Sequence, residues 1–364
     1  MERLFGRGAP SAEYTHNPFP DLDRLRNEAP RYYAPDRDAW FFSNPNDIVS
    51  LLRDDRLSMG DRISFLDHSA MFRTNVVRPL RTWFLSSEPL LLKIVQEVVK
   101  DCLEKLATQK DADLVDAVAR AIPSNVMAEL LNIPRADLSP LLHLAEDVIR
   151  SYDINWSLET EQTNKIGFLT LYFQRHWRFA SDAPLLKFLR DIQVEHSIPS
   201  DHMVDVCVKL FLAGTTTTSG CIANILGCLV AGPGYEGSIR EPSVIDGLIS
   251  SQAPILAVKR RVREAIEFGD ITLAPEQKVF LLVASANRAP VSDGEKRPPN
   301  LTFGHGQYYC LGSALARLEI SALLNSLEPI MPRFRLREAI KWREAWLLHE
   351  ALSVRITLEE PKAC

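Results

Sequence analysis

The stretch from Asp201 to Gly232, DHMVDVCVKLFLAGTTTTSGCIANILGCLVAG, constrains this chain more than any other. It contains no proline and is apolar nearly all round. A helix of that pattern runs through the middle of a domain and needs other elements packed on every side. The 364 residues and 46% hydrophobic content can build that surround. No uninterrupted apolar run reaches about 18 residues, so no membrane span is expected.

The rest of the chain reads as helices with small sheets around them. AWFFS (Ala39 to Ser43) is an aromatic-rich strand, and NPNDIVSLLRD after it is a capped helix. Helical patterns dominate from about Leu90 to Met331. Strand signals return at DITLAPEQKVFLLVAS, with a proline turn between two β-prone runs, and at LSVRITLE near the end. The expected fold class is mainly α with small peripheral β-sheets (α+β). No Gly/Ser linker, low-complexity tract or repeat divides the chain, so a single large domain over 1–364 is expected.

A net charge of −5 argues against a nucleic-acid partner held through phosphates. The opening MERLFGRG has no apolar core, so it does not read as a signal peptide. The six cysteines are scattered without a CxxC, and the eight histidines show no HExxH. Neither a disulfide framework nor a zinc site is expected, and a reducing cytoplasm fits best.

One cysteine stands apart. In FGHGQYYCLGSALARLE, from Phe303 to Glu319, Gly304 and Gly306 permit backbone shapes that side chains forbid. Leu311, Ala314, Leu315, Leu318 and Ala322 then recur at helical spacing. The pattern brings Cys310 to the first turn of a helix, where N–H groups and the helix dipole favour an anion. A thiolate is that anion and is the form that binds metal. A buried structural cysteine is the alternative reading.

These residues resemble the haem-binding loop of bacterial cytochromes P450, FGxGxHxCLG. Phe303, Gly304, Gly306, Cys310, Leu311 and Gly312 match, and Tyr308 stands where histidine is usual. The resemblance spans almost the whole chain. PFPDLDRLRNEAP is similar to the family's first helix, WFFSNPNDIVSLLRDDRLS to its first hairpin and next helix, ASANRAP to its GAANRDP segment, and WLLHEALSVRI to its closing strands. It implies a P450 fold with haem b, whose iron is ligated by the Cys310 thiolate.

The resemblance also gives roles on the central helix. AGTTTT, Ala213 to Thr218, matches the oxygen-binding groove AGx(D/E)TT at Ala213, Gly214 and Thr217. It implies a hydroxyl-lined kink in which small residues make room for dioxygen, an acid relays protons and Thr217 steadies the reacting oxygen. Thr216 occupies the acid's position, and a hydroxyl is a poor proton source near neutral pH. Without the resemblance, these hydroxyls would simply bond back to helix carbonyls.

Other positions depart from the family. Gly247 and Ser250 stand at the Glu and Arg of its ExxR pair, and the loop NRAPVSDGEKRPPNLTFGHG is shorter than the family's meander. Joint loss of an ion-pair network is coherent, because removing one partner alone is what costs most. For the haem propionates, Arg261 in VKRRVREA falls at a propionate arginine. Arg73 falls at the histidine of the HxxxR helix, and Val77 falls at its arginine with Arg78 adjacent. Tyr308 offers an O–H donor, and His305 either donates to a propionate or faces solvent.

Three readings follow. The first is a monooxygenase that acts on a small biosynthetic molecule, served by a ferredoxin or flavodoxin and a reductase. The second keeps haem and Cys310 but uses peroxide, a substrate carboxylate as proton source, or redox-neutral chemistry. The third is a non-catalytic helper protein with this fold. Retention of Cys310 in an intact loop speaks against the third.

Overall fold

Five short β-prone runs far apart in sequence meet in one sheet. Its strand order is Arg31–Ala34, Ala39–Phe42, Lys278–Leu281, Val258–Val262, Leu57–Ser58. Ala39–Phe42 pairs parallel with Lys278–Leu281, and every other neighbour is antiparallel. The computed structural model describes residues 4–6, 8–59, 70–150, 153, 160–179, 183–232, 238–290 and 299–360.

The described chain groups into two compact units. The first comprises Met1–Asp67, Gly247–Cys310 and Trp342–Glu350, and the second His68–Asp246, Leu311–Lys341 and Ala351–Cys364. The class is mainly α with small sheets, α+β, as the sequence pattern implies.

In the first unit, the helix Pro45–Leu52 follows the strand Ala39–Phe42 directly. Asn44 caps it, with Oδ1 accepting the N–H groups of Asn46 and Asp47 at 2.9 and 3.3 Å, and Pro45 fills the first helical position. Ile48, Leu51 and Leu52 bury against Leu57, Val262, Val279, Leu281 and Leu301, which places this core directly under the chain that leads into Phe303. The two runs of DITLAPEQKVFLLVAS part company. Ile271–Leu273 pairs with Ile266–Phe268 in a two-stranded ribbon, while Lys278–Leu281 enters the five-stranded sheet. The turn between them is therefore a sheet-to-sheet connection.

In the second unit, the helix Ser200–Ala231 is the core element. It is long and apolar enough to cross a bilayer, but 78% of that window is buried inside the protein. The helices Ala121–Leu131, Arg135–Arg150 and Thr160–Phe179 pack against it. Asn224, fully buried, accepts the Ala351 N–H at 2.8 Å and pins the final strand region to the helix. Ser313–Leu327, the helix expected after Cys310, packs on Glu88–Ala107. It buries Glu319, whose carboxyl is pushed well above the usual range by desolvation.

Candidate active site

The chain reaches Cys310 through a sequence of fixed bends. The helical turn Val283–Asn287 presents Asn287, whose Oδ1 accepts the Leu301 N–H at 2.7 Å. Its Nδ2 donates to Thr302 Oγ1 at 2.9 Å. This side chain thus holds the start of the loop. Gly304 then adopts φ +75° and Gly306 φ +69°, both left-handed. A Cβ at Gly306 would sit 3.0 Å from the Leu52 carbonyl oxygen, so the loop lies against the end of the capped helix. A single 3₁₀ turn, Gly306–Tyr308, follows. The Cys310 N–H closes the loop on the Phe303 carbonyl at 2.8 Å.

The Cys310 side chain is exposed and takes part in no disulfide. The helix after it begins at Ser313 with Gly312 as N-cap, so Cys310 lies two residues before the cap and outside the first turn. Extended φ, ψ at Tyr309 delay the helix to that point.

The basic and polar side chains around the loop have definite partners. Tyr308 is buried, and its hydroxyl donates to the Leu57 carbonyl at 3.4 Å. His305 Nε2 accepts from Arg53 Nε at 2.9 Å, at the surface. Gln307 Nε2 donates to Asp55 at 2.8 Å. Arg261 points away from the loop and pairs with Glu276 at 2.8 Å. Its neighbour Arg260 is 3% exposed, and its guanidinium stands 4.7 Å from the Tyr308 ring centroid. The residue beside the loop is thus Arg260, one position from the one the sequence suggested. The cause is strand alternation, because Arg260 and Val262 share the buried face of Val258–Val262 and Arg261 takes the other.

The remaining expected residues belong to the second unit. Arg73 opens a π-helical turn, Arg73–Val77, and Arg78 is exposed at the head of the next helix, Arg78–Ser86. The central helix, Ser200–Ala231, continues through AGTTTT. The hydroxyls of Thr215, Thr216 and Thr217 donate to the carbonyls of Phe211, Leu212 and Ala213 at 2.7, 2.8 and 2.9 Å. Local satisfaction is the arrangement seen. A Cβ on Gly214 would come within 2.7 Å of Met127 Sδ, so this glycine makes room for the packed helix Ala121–Leu131. Ala213 is exposed in the middle of this otherwise buried helix, with Thr216 and Thr217 partly exposed beside it.

No family model matches the chain. It is 25% identical over 370 residues to the biotin biosynthesis cytochrome P450 of Bacillus subtilis (strain 168), covering 92% of this chain and 93% of that one. It is 24% identical over 359 residues to the cytochrome P450 monooxygenase PikC of Streptomyces venezuelae, covering 88% and 85%. Among solved structures, that of CalO2 superposes with a TM-score of 0.82 at 20% identity, over 96% of this chain and 97% of that one. The chain belongs to the cytochrome P450 superfamily.

A P450 is a haem-thiolate enzyme whose cofactor is haem b. The donor set here fits that group. Among the described residues, no cluster of three or more His, Cys, Asp or Glu could hold a metal ion. An exposed thiol outside any such cluster suits an iron that brings its other ligands in a macrocycle. Gly247, at the Glu position of ExxR, is exposed on the helix Pro242–Ser251, and a Cβ there would meet nothing within 4 Å. Residues 291–298 of the shortened meander lie outside the described residues.

Proposed function

We propose that this P450 is a cytoplasmic monooxygenase acting on a small biosynthetic molecule, with electrons from a ferredoxin or flavodoxin and its reductase, and that the whole chain works as one domain. The observation that carries the reading is the Cys310 loop, whose glycine conformations and closing hydrogen bond hold one exposed thiol at its end. The relatives named for biotin biosynthesis and for monooxygenation support the class of reaction.

Cys310 would supply the thiolate that holds the haem iron. Bound haem supplies the activation of dioxygen, with one oxygen atom entering the substrate and the other leaving as water for two electrons and two protons. Arg260, buried against Tyr308, would hold a propionate, a task for which a guanidinium is suited. Arg73 and Arg78 offer further cationic donors. Ala213 would leave space at the helix surface. Thr216 and Thr217 would pass protons only after releasing their carbonyls, since each hydroxyl hydrogen is already engaged.

That engagement favours a second reading of the same site. With Thr216 in place of the acid, the enzyme would draw its proton from the substrate or use peroxide. Carbon monoxide added to the reduced, haem-loaded protein tests the common premise. A red-shifted Soret band that disappears in Cys310→Ala supports both readings. A folded protein that cannot be loaded with haem would promote the non-catalytic helper.

A further inference from the structure

The central helix carries a lysine in its least hospitable part. Lys209 is 6% exposed. Its ammonium donates to Asp205 Oδ2, one turn earlier, and Asp205 is the single partner of its three donors among the described residues. Burying an ammonium carries a desolvation penalty that one helical i, i+4 carboxylate recovers only in part. An exposed pair would serve the helix as well. The burial therefore calls for another reason.

The helix geometry supplies one. Residues spaced by three, four and seven share a face. His202, Asp205, Lys209, Ala213 and Thr216 accordingly form one stripe. From Met203 to Gly227, every described side chain is buried except Asp205, Ala213, Gly214, Thr216 and Thr217. Asp205, Ala213 and Thr216 thus lie on that stripe and Thr217 beside it, with Lys209 at the centre, whereas Gly214 turns off it toward Met127. At its outer end, the exposed His202 ring meets Phe72 edge-on at 6.1 Å. Lys209 stands about 10 Å along the helix axis from Thr216, two helical turns.

We propose that Lys209 is the specificity-determining residue for a carboxylate on the substrate. Its two N–H donors without a partner among the described residues match the two oxygens of that group. Asp205, with a side chain 39% exposed, holds the ammonium until the substrate arrives and then turns to water. The carbon to be oxidised lies about two helical turns from the carboxylate. The inference rests on the proposed function in one respect, that the Ala213–Thr217 face is where the reaction occurs.

The test uses the haem-loaded full chain with dodecanoic acid, methyl dodecanoate and dodecylamine as probes. Binding is read by calorimetry and by the substrate-induced shift of the Soret band. The wild type should bind the acid about tenfold or more tightly than the ester, the scale of a charge-assisted hydrogen bond. Lys209→Met should erase that preference while leaving ester binding within about twofold. Lys209→Arg should keep most of it, and both variants should melt as cooperatively as the wild type. No binding of the acid, equal binding of acid and ester, or a preference that survives in Lys209→Met would each overturn the proposal. Tighter binding of the amine would also overturn it and would assign the stripe to Asp205. Failure of the carbon monoxide band refutes the haem-enzyme reading alone, because calorimetry still reports whether Lys209 selects the acid.

Discussion

The Phe303–Cys310 loop and the Ala213–Thr218 segment hold chemistry in opposite ways. In the loop, the backbone does the holding. Two left-handed glycines, the Asn287 bonds and the Cys310 N–H to the Phe303 carbonyl leave the thiol exposed at the end of a fixed path. In the helix, side chains carry the chemistry and the backbone has already claimed them, since three consecutive threonines donate to their own helix. A site built from backbone shape is ready before its ligand arrives. A site built from engaged hydroxyls must break a bond to act.

The largest effect that tests this contrast is at Cys310. Cys310→Ala keeps the path and removes its end. Complete loss of the red-shifted carbon monoxide band, with an unchanged melting profile, is expected. Retention of the band would mean that another residue supplies the thiolate.

The two glycines that matter should then separate by mechanism. Gly306→Ala forces an L-residue into left-handed backbone and drives Cβ to 3.0 Å from a backbone oxygen that cannot move freely. A loss of about 1–3 kcal/mol, with reduced haem retention, is expected in urea unfolding. Gly214→Ala meets only the flexible end of Met127, and alanine gains about 1 kcal/mol of helix propensity over glycine. Its net change should stay within about 1 kcal/mol. Equal losses at the two positions would show that the loop is no more rigid than the helix.

Much of this contrast is legible in the sequence, for a physical reason. Glycine at Gly304 and Gly306 reports on backbone sterics, which are local. The apolar run around the central helix likewise reports burial without knowledge of its neighbours. What stays hidden depends on contacts made at a distance. That Gly214 accommodates Met127 follows from packing between two helices, and no feature near Gly214 announces it. The role of Asn287 depends on Leu301, 14 positions along the chain, donating to its carbonyl oxygen. The choice between Arg260 and Arg261 was within reach, because alternation with the apolar Val262 puts Arg260 on the inner face.

That pair gives the next test in size. Arg260→Gln should lower haem occupancy severalfold by absorbance per chain, because the lost cation is buried beside Tyr308. Arg261→Gln removes a pair with the 73%-exposed Glu276, worth about 0–1 kcal/mol, and occupancy should hold. The reverse order would return the propionate role to Arg261 and require that strand to present its other face.

The smallest effect is expected on the helix, and it decides whether the engaged hydroxyls do any work. Thr217→Ala removes a donor bonded to the Ala213 carbonyl and puts a better helix former in place, so stability should hold or rise slightly. A change in function would then not be a folding defect. If Thr217 steadies the reacting oxygen, the alanine variant should release severalfold more hydrogen peroxide per NADPH consumed, measured with a surrogate ferredoxin and reductase. Thr216→Asp places a proton source where the family keeps one, on a partly exposed position that can hydrate a carboxylate. Peroxide release should fall if proton supply limits the wild type. If the enzyme uses peroxide or takes its proton from the substrate, the added charge should leave release unchanged or lower peroxide-driven turnover. Wild-type release that is already low, and indifferent to both substitutions, would separate the threonines from oxygen chemistry and leave their back-bonds as their whole function.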